Sequence, residues 1–212
     1  MTSSKSILIE TQYLPSIEFF CCIHSYDELV IEDFEHFQKQ TFRNRCYILG
    51  ANNVLTLTIP VIKANSKTVI NKLEIDYSHP WHKEHWRSIQ SAYGKAPFFE
   101  YYEPYFKKVY SSPPKYLAEF NFTLLTICLK LLQWKTKVSK TSEYQNLPKN
   151  GTIDARSVIT PKKKFDERSY FRPFEYMQVF GKDFVANLSI IDLLMNEGPN
   201  ARNIVTNSIL TE

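Results

Sequence analysis

The chain has 212 residues, 43% of them hydrophobic and 15% aromatic, so it can bury a sizeable core and is not a disordered chain. Its formal net charge is only +4, from 26 basic and 22 acidic residues, which argues against a nucleic-acid partner. The apolar stretches are too short or too interrupted for a membrane span, and the four cysteines lack the spacing of a structural zinc site. We expect a cytoplasmic protein with free, mostly buried thiols.

The first part of the chain predicts two strands around a helix, followed by a hairpin. Residues 7–9 form a short apolar strand, and Pro15 opens a helix that ends at about His24. Residues 29–31 predict a second strand. Residues 47–62 indicate a hairpin, because apolar and polar residues alternate along its second arm.

The rest of the chain is predominantly helical. The predicted elements are a strand at 73–76, helices at about 78–93, 101–110 and 115–133, a strand at 136–139 and a last helix at 187–196. Asn187 is the expected cap of that last helix, and Gly198 is its expected end.

These elements predict a mixed, Rossmann-like α/β sheet flanked by helices, with a β-hairpin and a helical C-terminal part. Residues 1–145 form the expected core domain. Residues 146–186 are polar and are expected to be an excursion packed on that core, and residues 187–212 complete the same domain with a helix.

A polar segment between two predicted strands, residues 37–47, is the first candidate site. The side chains that we expect to bind a ligand there are those of Gln38, Lys39, Gln40, Arg43, Asn44 and Arg45. On an extended stretch Arg43 and Arg45 share one face, where two guanidinium groups can grip a phosphate or a carboxylate. The alternative is that both arginines pair with local acids such as Glu32, Asp33 and Glu35.

The loop after the first strand is the second candidate, because ligands of open α/β sheets lie beyond the carboxyl ends of the strands. Tyr13 in this loop can stack on a ligand or donate its hydroxyl group to it. The alternative is that Tyr13 is a core residue in an ordinary turn.

The predicted helix at 78–93 supplies a third group: Trp81 to shape a pocket, His85 as a proton shuttle, and Tyr93 one turn beyond Ile89 to extend the contact. His82 and His85 are three residues apart, but the pattern is not that of a zinc protease, and we expect no metal. The alternative for His85 is a core histidine on an inward stripe.

The start of the last helix is the fourth candidate, since a helix N-terminus can bind an anion. Asn187 and Ser189 are the side chains expected there, and plain capping is the alternative. The sequence has neither a P-loop nor a Gly-x-Gly-x-x-Gly motif, so a bound phosphate would be held by side chains or by a helix end.

Short segments spread in order over nearly the whole chain match the pattern of a known family. They are residues 13–15, 38–41, 43–46, 57–61, 75–81, 85–86, 91–93, 96–99, 187–194 and 196–199. As an ordered set, they resemble the WbqC-like protein family.

This resemblance implies a protein of bacterial surface-polysaccharide clusters, and for some relatives the transfer of an amino-acyl group such as glycine to an amino sugar. Many relatives open with His-Gln-Pro-x-Tyr-x-Pro, whereas Ile9, Glu10 and Thr11 stand here in place of the histidine, the glutamine and the first proline. Glu10 is therefore a second candidate catalytic residue. The alternative is that the chain binds a ligand without reacting.

Two functions remain in view from the sequence. The first is a transferase of an acyl or amino-acyl group that acts on an activated amino sugar, with a small anion or a nucleotide-sugar-like molecule as ligand. The second is a non-catalytic binding or scaffold protein, for which the aromatic residues between 98 and 105 would form a partner surface. The cofactor is unknown, and a homo-oligomer is left open.

Overall fold

A computed structural model describes residues 5–62, 64–65, 67–148 and 151–210, which contain six strands and six α-helices. The strands are β1 (Ser6–Glu10), β2 (Glu28–Glu32), β3 (Arg45–Leu49), β4 (Val54–Thr58), β5 (Lys137–Lys140) and β6 (Thr152–Asp154). The helices are α1 (Ile17–Ile23), α2 (Trp81–Tyr93), α3 (Phe99–Ser111), α4 (Leu117–Leu131), α5 (Ile190–Glu197) and α6 (Ala201–Asn207).

Four strands form a parallel sheet in the order β5–β2–β1–β6. Alternate apolar side chains of its two central strands, Ile7 and Ile9 in β1 and Leu29 and Ile31 in β2, are buried. This strand order is that of a Rossmann sheet up to its fourth strand, with the order reversing between β1 and β6. The predicted Rossmann-like α/β class is therefore confirmed, and β3 and β4 form the predicted antiparallel hairpin.

The strand predicted at residues 73–76 is wrong, because this stretch makes only isolated bridges. Glu74 bridges to Tyr116, and Ile75 bridges to Val61. The three helices predicted after it are present as α2, α3 and α4. Apolar side chains at helical spacing, such as Phe120, Leu124 and Cys128, face the core and explain why α4 was readable from the sequence.

The polar segment predicted as an excursion contains β6, which pairs with β1 and adds the fourth strand of the sheet. The sequence gives little sign of this strand, since it has three residues and two of them are exposed. A buried ion pair also ties the segment to α1, because Arg168 Nη2 donates to Glu18 Oε2 at 2.6 Å. The excursion is thus an integral part of the sheet.

The C-terminal helix is α5, and its cap differs from the predicted one. Ser189 Oγ accepts from the backbone N–H of Ile191 at 3.4 Å, so Ser189 is the N-cap. Asn187 instead accepts from the backbone N–H of Glu18 at 3.0 Å, and thereby caps α1. Gly198 ends α5 as predicted, with a φ of +53° that favours glycine.

The cysteine prediction is also confirmed, since the thiols of Cys21, Cys22, Cys46 and Cys128 are free and buried. Within the described ranges, no helix combines the length and the apolar character that a bilayer crossing demands.

Candidate functional site

Buried carboxylates lie at the carboxyl edge of the parallel sheet. Glu10 ends β1, and its two oxygens accept from Gln12 Nε2 at 2.8 Å and from the backbone N–H of Ser157 at 2.6 Å. Glu32 ends β2 and accepts from Arg156 Nη1 at 3.0 Å. Glu10 and Glu32 are 1% and 0% exposed, so these bonds are what makes their burial tolerable.

Arg43 joins the polar segment to this edge. Its Nε and Nη2 each donate to an oxygen of Glu35 at 2.6 Å, and Nη2 also donates to Ser157 Oγ at 3.1 Å. The Arg43 side chain is 2% exposed. The backbone carbonyl of Arg43 accepts from Asn121 Nδ2 of α4 at 2.8 Å. For Arg43 the structure thus shows the predicted alternative, in which the arginine pairs with a local acid.

Among the residues that the structure describes, the carboxylates of this edge outnumber its cations. Burial raises the pKa of Glu35, and the hydrogen bonds and charge of Arg43 act in the opposite direction. Burial likewise raises the pKa of Asp33, with Lys140 opposing the change. Asp154 adds a further carboxylate, which pairs with Arg156 at 2.6 Å. The edge therefore favours a cationic or hydrogen-bond-donating group over an anion.

Two hollows flank the polar segment and share Phe37 as a wall. The sheet-edge hollow, of about 440 Å³, is lined by Phe34, Glu35, His36, Phe37, Gln38 and Tyr144. The Arg45 hollow, of about 390 Å³, is lined by Phe37, Lys39, Gln40, Asn44, Arg45, Val61 and Ala64. Every predicted ligand-binding residue of the segment except Arg43 thus lines one of the two hollows.

The Arg45 hollow contains side chains with unused hydrogen-bonding capacity. Among the described residues, Arg45 Nε and Asn44 Oδ1 are buried and have no hydrogen-bond partner. Asn44 is held in place because its Nδ2 donates to the carbonyl of Ile59 at 2.9 Å. An unpartnered guanidinium donor that is withdrawn from water carries a free-energy cost, which a bound anion would remove.

Tyr13 and His85 lie together in the core. The Tyr13 hydroxyl lies 2.9 Å from His85 Nδ1, and the backbone of Thr58 also bonds the imidazole. Burial lowers the pKa of His85 to about 4, so its ring is neutral at pH 7. Trp81 packs on His85 with their ring centres 5.1 Å apart. These contacts match the core alternatives stated for Tyr13 and His85.

The other predicted site residues lie apart from the hollows. Tyr93 is 1% exposed, and its pKa is raised by burial and by the nearby carboxylate of Asp192. Asn187 and Ser189 serve as the helix caps described above.

Sequence reasoning included Gln12 in the candidate loop after the first strand without giving it a role, and it did not single out Arg156 and Ser157 as site residues. Gln12 and Ser157 both bond the carboxylate of Glu10. Arg156 and Ser157 directly follow β6, so the same rule that selected the loop after β1 would have found them had that strand been recognised.

Comparison with known proteins agrees with the pattern of segments described above. The model of the WbqC-like protein family matches residues 11–174 and 165–204, which is most of the chain and includes both hollows. The chain belongs to the WbqC-like protein family. The match begins just after Glu10 and includes the whole polar segment, so the site described here, apart from Glu10, lies within the family's shared region.

This family member is similar to a protein of Mycobacterium tuberculosis named Uncharacterized protein Rv1507c. The two are 26% identical over 223 residues, which cover 93% of this chain and 95% of the relative. No solved structure matches the chain.

Proposed function

We propose that this WbqC-like protein is a cytoplasmic transferase of bacterial surface-polysaccharide biosynthesis that attaches an acyl or amino-acyl group to a nucleotide-activated amino sugar. The observation that carries the proposal is the opposite polarity of two adjoining hollows. One offers cationic and amide groups, and the other is lined by the buried carboxylate of Glu35 at the acidic edge of the sheet.

The phosphate end of the ligand is proposed to bind in the Arg45 hollow. Lys39 and Arg45 supply positive charge there, and the buried Arg45 Nε is a donor without a partner among the described residues. Gln40 adds an amide from a backbone with a φ of +58°, a conformation that is uncommon outside glycine and clusters at ligand sites. A diphosphate would satisfy these donors at once.

The amino sugar is proposed to bind in the sheet-edge hollow. Glu35 lines this hollow and is linked through Arg43 to Ser157, which in turn bonds Glu10. The acids of the edge are Glu10, Glu32, Asp33, Glu35 and Asp154, and they face the cations Arg43, Lys140 and Arg156. This excess of carboxylate attracts an ammonium group and would hold it near the acyl donor.

The proposed reaction forms an amide bond between the sugar nitrogen and the acyl carbon as the bond from that carbon to its leaving group breaks. The ammonium group must lose a proton before it attacks. Glu10 is the proposed acceptor of that proton, because it is the carboxylate at the reversal of strand order between β1 and β6. His85 is proposed to position Tyr13, since it contacts that residue in the core.

Replacing Arg45 with glutamine tests the phosphate end. We expect the Arg45→Gln variant to bind UDP-glucosamine about tenfold more weakly than the wild type, because a charge-assisted hydrogen bond is lost. Isothermal titration calorimetry with UDP-glucosamine, and separately with UDP, measures the change. The variant should lose affinity for both probes, since both carry the diphosphate.

Lys107 of α3 offers a matched control, because it is exposed and pairs with Glu103 on its own helix. The Lys107→Gln variant loses the same charge and should bind both probes as the wild type does. The phosphate-end proposal is wrong if Arg45→Gln and Lys107→Gln bind UDP equally well. The amine-end proposal is wrong if the wild type binds UDP-glucose as tightly as UDP-glucosamine.

A non-catalytic binding protein with the same two hollows is the second candidate. The specific observation in its favour is that both oxygens of Glu10 accept hydrogen bonds and the side chain is almost fully buried. The aromatic residues between 98 and 105 do not form a uniformly exposed partner surface, since Tyr101 is 71% exposed but Phe99 is buried. Acylation of UDP-glucosamine by a panel of activated amino acids, followed by mass spectrometry, distinguishes an enzyme from a binding protein.

A further inference from the structure

Ser157 is an exposed serine in a backbone conformation that favours glycine. The turn from Ala155 to Val158 is closed by the Val158 N–H, which donates to the carbonyl of Ala155 at 3.3 Å. Ser157 is the third residue of this turn and has a φ of +61°. A turn with positive φ at its third position is best formed by glycine or asparagine. Serine is not the residue that this turn favours, and the contacts of its side chain give a reason why it stands there.

The backbone N–H and the hydroxyl group of Ser157 are both hydrogen-bonded to buried charged side chains. Its backbone N–H donates to Glu10 Oε2 at 2.6 Å, and its Oγ accepts from Arg43 Nη2 at 3.1 Å. Glu10 and Arg43 are 1% and 2% exposed, whereas Ser157 faces the solvent. Two buried groups thus fix the position of a hydroxyl group that belongs to an exposed residue.

The bond from Arg43 decides what this hydroxyl can do. A serine hydroxyl has one hydrogen and two lone pairs, and the guanidinium group occupies one of the lone pairs. The hydrogen remains to be donated, and polarisation by a cation makes it a stronger donor. Among the described residues, no group accepts this hydrogen from Ser157, so it is available to a ligand.

The location of this donor coincides with the expected ligand position of the fold. Ser157 follows β6, and Glu10 ends β1, so the bond between them spans the point where the strand order reverses. Ligands of open α/β sheets bind in the crevice at that point. Arg43 Nη2 also links Ser157 Oγ to Glu35, which lines the sheet-edge hollow.

We propose that Ser157 is a ligand-binding residue that donates its hydroxyl hydrogen to an uncharged oxygen, a hydroxyl or an amide carbonyl, at the sugar end of the ligand. An anionic oxygen is disfavoured at this position, because the acids of the edge outnumber its cations within the described part of the chain. The proposal rests on the proposed function, in which the sugar occupies the sheet-edge hollow.

Two variants, Ser157→Ala and Ser157→Gly, test this role. Both lack the hydroxyl, but glycine adopts the positive φ without steric strain and alanine does not. We expect both variants to bind UDP-glucosamine about tenfold more weakly than the wild type and to bind UDP with unchanged affinity. The melting temperature of Ser157→Gly should exceed that of Ser157→Ala by about 2–4 °C.

The outcomes separate this inference from the proposed function. If the wild type binds neither UDP-glucosamine nor UDP, the proposed function is wrong, and the inference about Ser157 that rests on it is wrong as well. If the wild type binds UDP-glucosamine and Ser157→Gly binds it equally well, the serine serves only the turn, and this inference alone fails. A parallel loss of UDP binding in both variants would also overturn it, since the hydroxyl would then act on the phosphate end.

Discussion

Replacement of Arg43 by methionine is expected to lower the free energy of unfolding by about 3–5 kcal/mol at pH 7. The reason is that Glu35 would remain buried as a carboxylate without the two bonds of 2.6 Å that now compensate for its lost hydration. Urea unfolding followed by far-UV circular dichroism measures the change as a lower midpoint at an unaltered slope. Methionine keeps most of the side-chain length, so the packing change is small.

Arg87 of α2 provides the matched control, because it is an exposed arginine away from the sheet edge. The Arg87→Met variant should lose less than about 1 kcal/mol, as is usual for surface positions. The double variant Arg43→Met with Glu35→Met should recover much of the loss, since it removes both buried charges together. If Arg43→Met is no more destabilising than Arg87→Met, the buried ion pair does not form.

The pH dependence of the Arg43→Met variant gives a second check. Burial already holds the pKa of Glu35 above its ordinary value of 4.5, and the loss of Arg43 removes the groups that oppose this shift. A folded-state pKa above the unfolded one means that the folded protein binds the proton more tightly. The variant should therefore regain stability relative to the wild type as the pH falls from 7 towards 5.

The carboxyl-edge site was only partly readable from the sequence, and the reason differs between its two halves. The polar segment could be recognised because its amide and cationic side chains are concentrated between two apolar runs, which is a local feature. The pairing of Arg43 with Glu35 was stated as an alternative, but the choice depends on burial. Burial follows from tertiary contacts such as the bond from Asn121 to the Arg43 carbonyl, 78 residues away.

The half of the site supplied by β6 and the turn after it could not be read from the sequence. Thr152–Asp154 is too short to show an alternating pattern, and it becomes a strand only because β1 offers an unpaired edge. Ser157 gives no local signal, since serine rarely marks a residue of positive φ. By contrast, α2 and α4 were predictable, because a helix's apolar stripe and end signals are written in neighbouring residues.

Acid is expected to destabilise the protein through His85, by about 3 kcal/mol between pH 6.5 and pH 4. Burial lowers the folded-state pKa of His85 from 6.5 to about 4. Between these two pH values the imidazole is therefore protonated in the unfolded chain but neutral in the folded protein. The stability that His85 contributes is present above pH 6.5, falls as the pH drops through the window and reaches its floor near pH 4. Chemical denaturation at a series of pH values measures this slope.

The His85→Gln variant isolates this contribution from the acids that titrate nearby, several of which respond to pH in the opposite direction. Its amide can accept from Tyr13 and donate to the Thr58 backbone, as the neutral imidazole does, but it cannot take up a proton. From pH 7 to pH 4, the wild type should therefore lose about 3 kcal/mol more of its free energy of unfolding than the His85→Gln variant loses. The control is His79→Gln, at a histidine whose side chain is 62% exposed, and its slope should follow the wild type.

The same experiment decides what His85 does for the site. A neutral ring whose N–H donates to Thr58 must accept the Tyr13 O–H at Nδ1, and this fixes the side chain of Tyr13, which belongs to the loop that leads from Glu10 to α1. Nitrogen NMR shifts at pH 7 should report a single neutral tautomer protonated at Nε2. A His85 ring that titrates near pH 6.5, together with an acid slope of His85→Gln equal to that of the wild type and of His79→Gln, would instead mean that His85 is accessible to solvent and free to exchange protons. The assignment of His85 as a positioning residue would then be wrong.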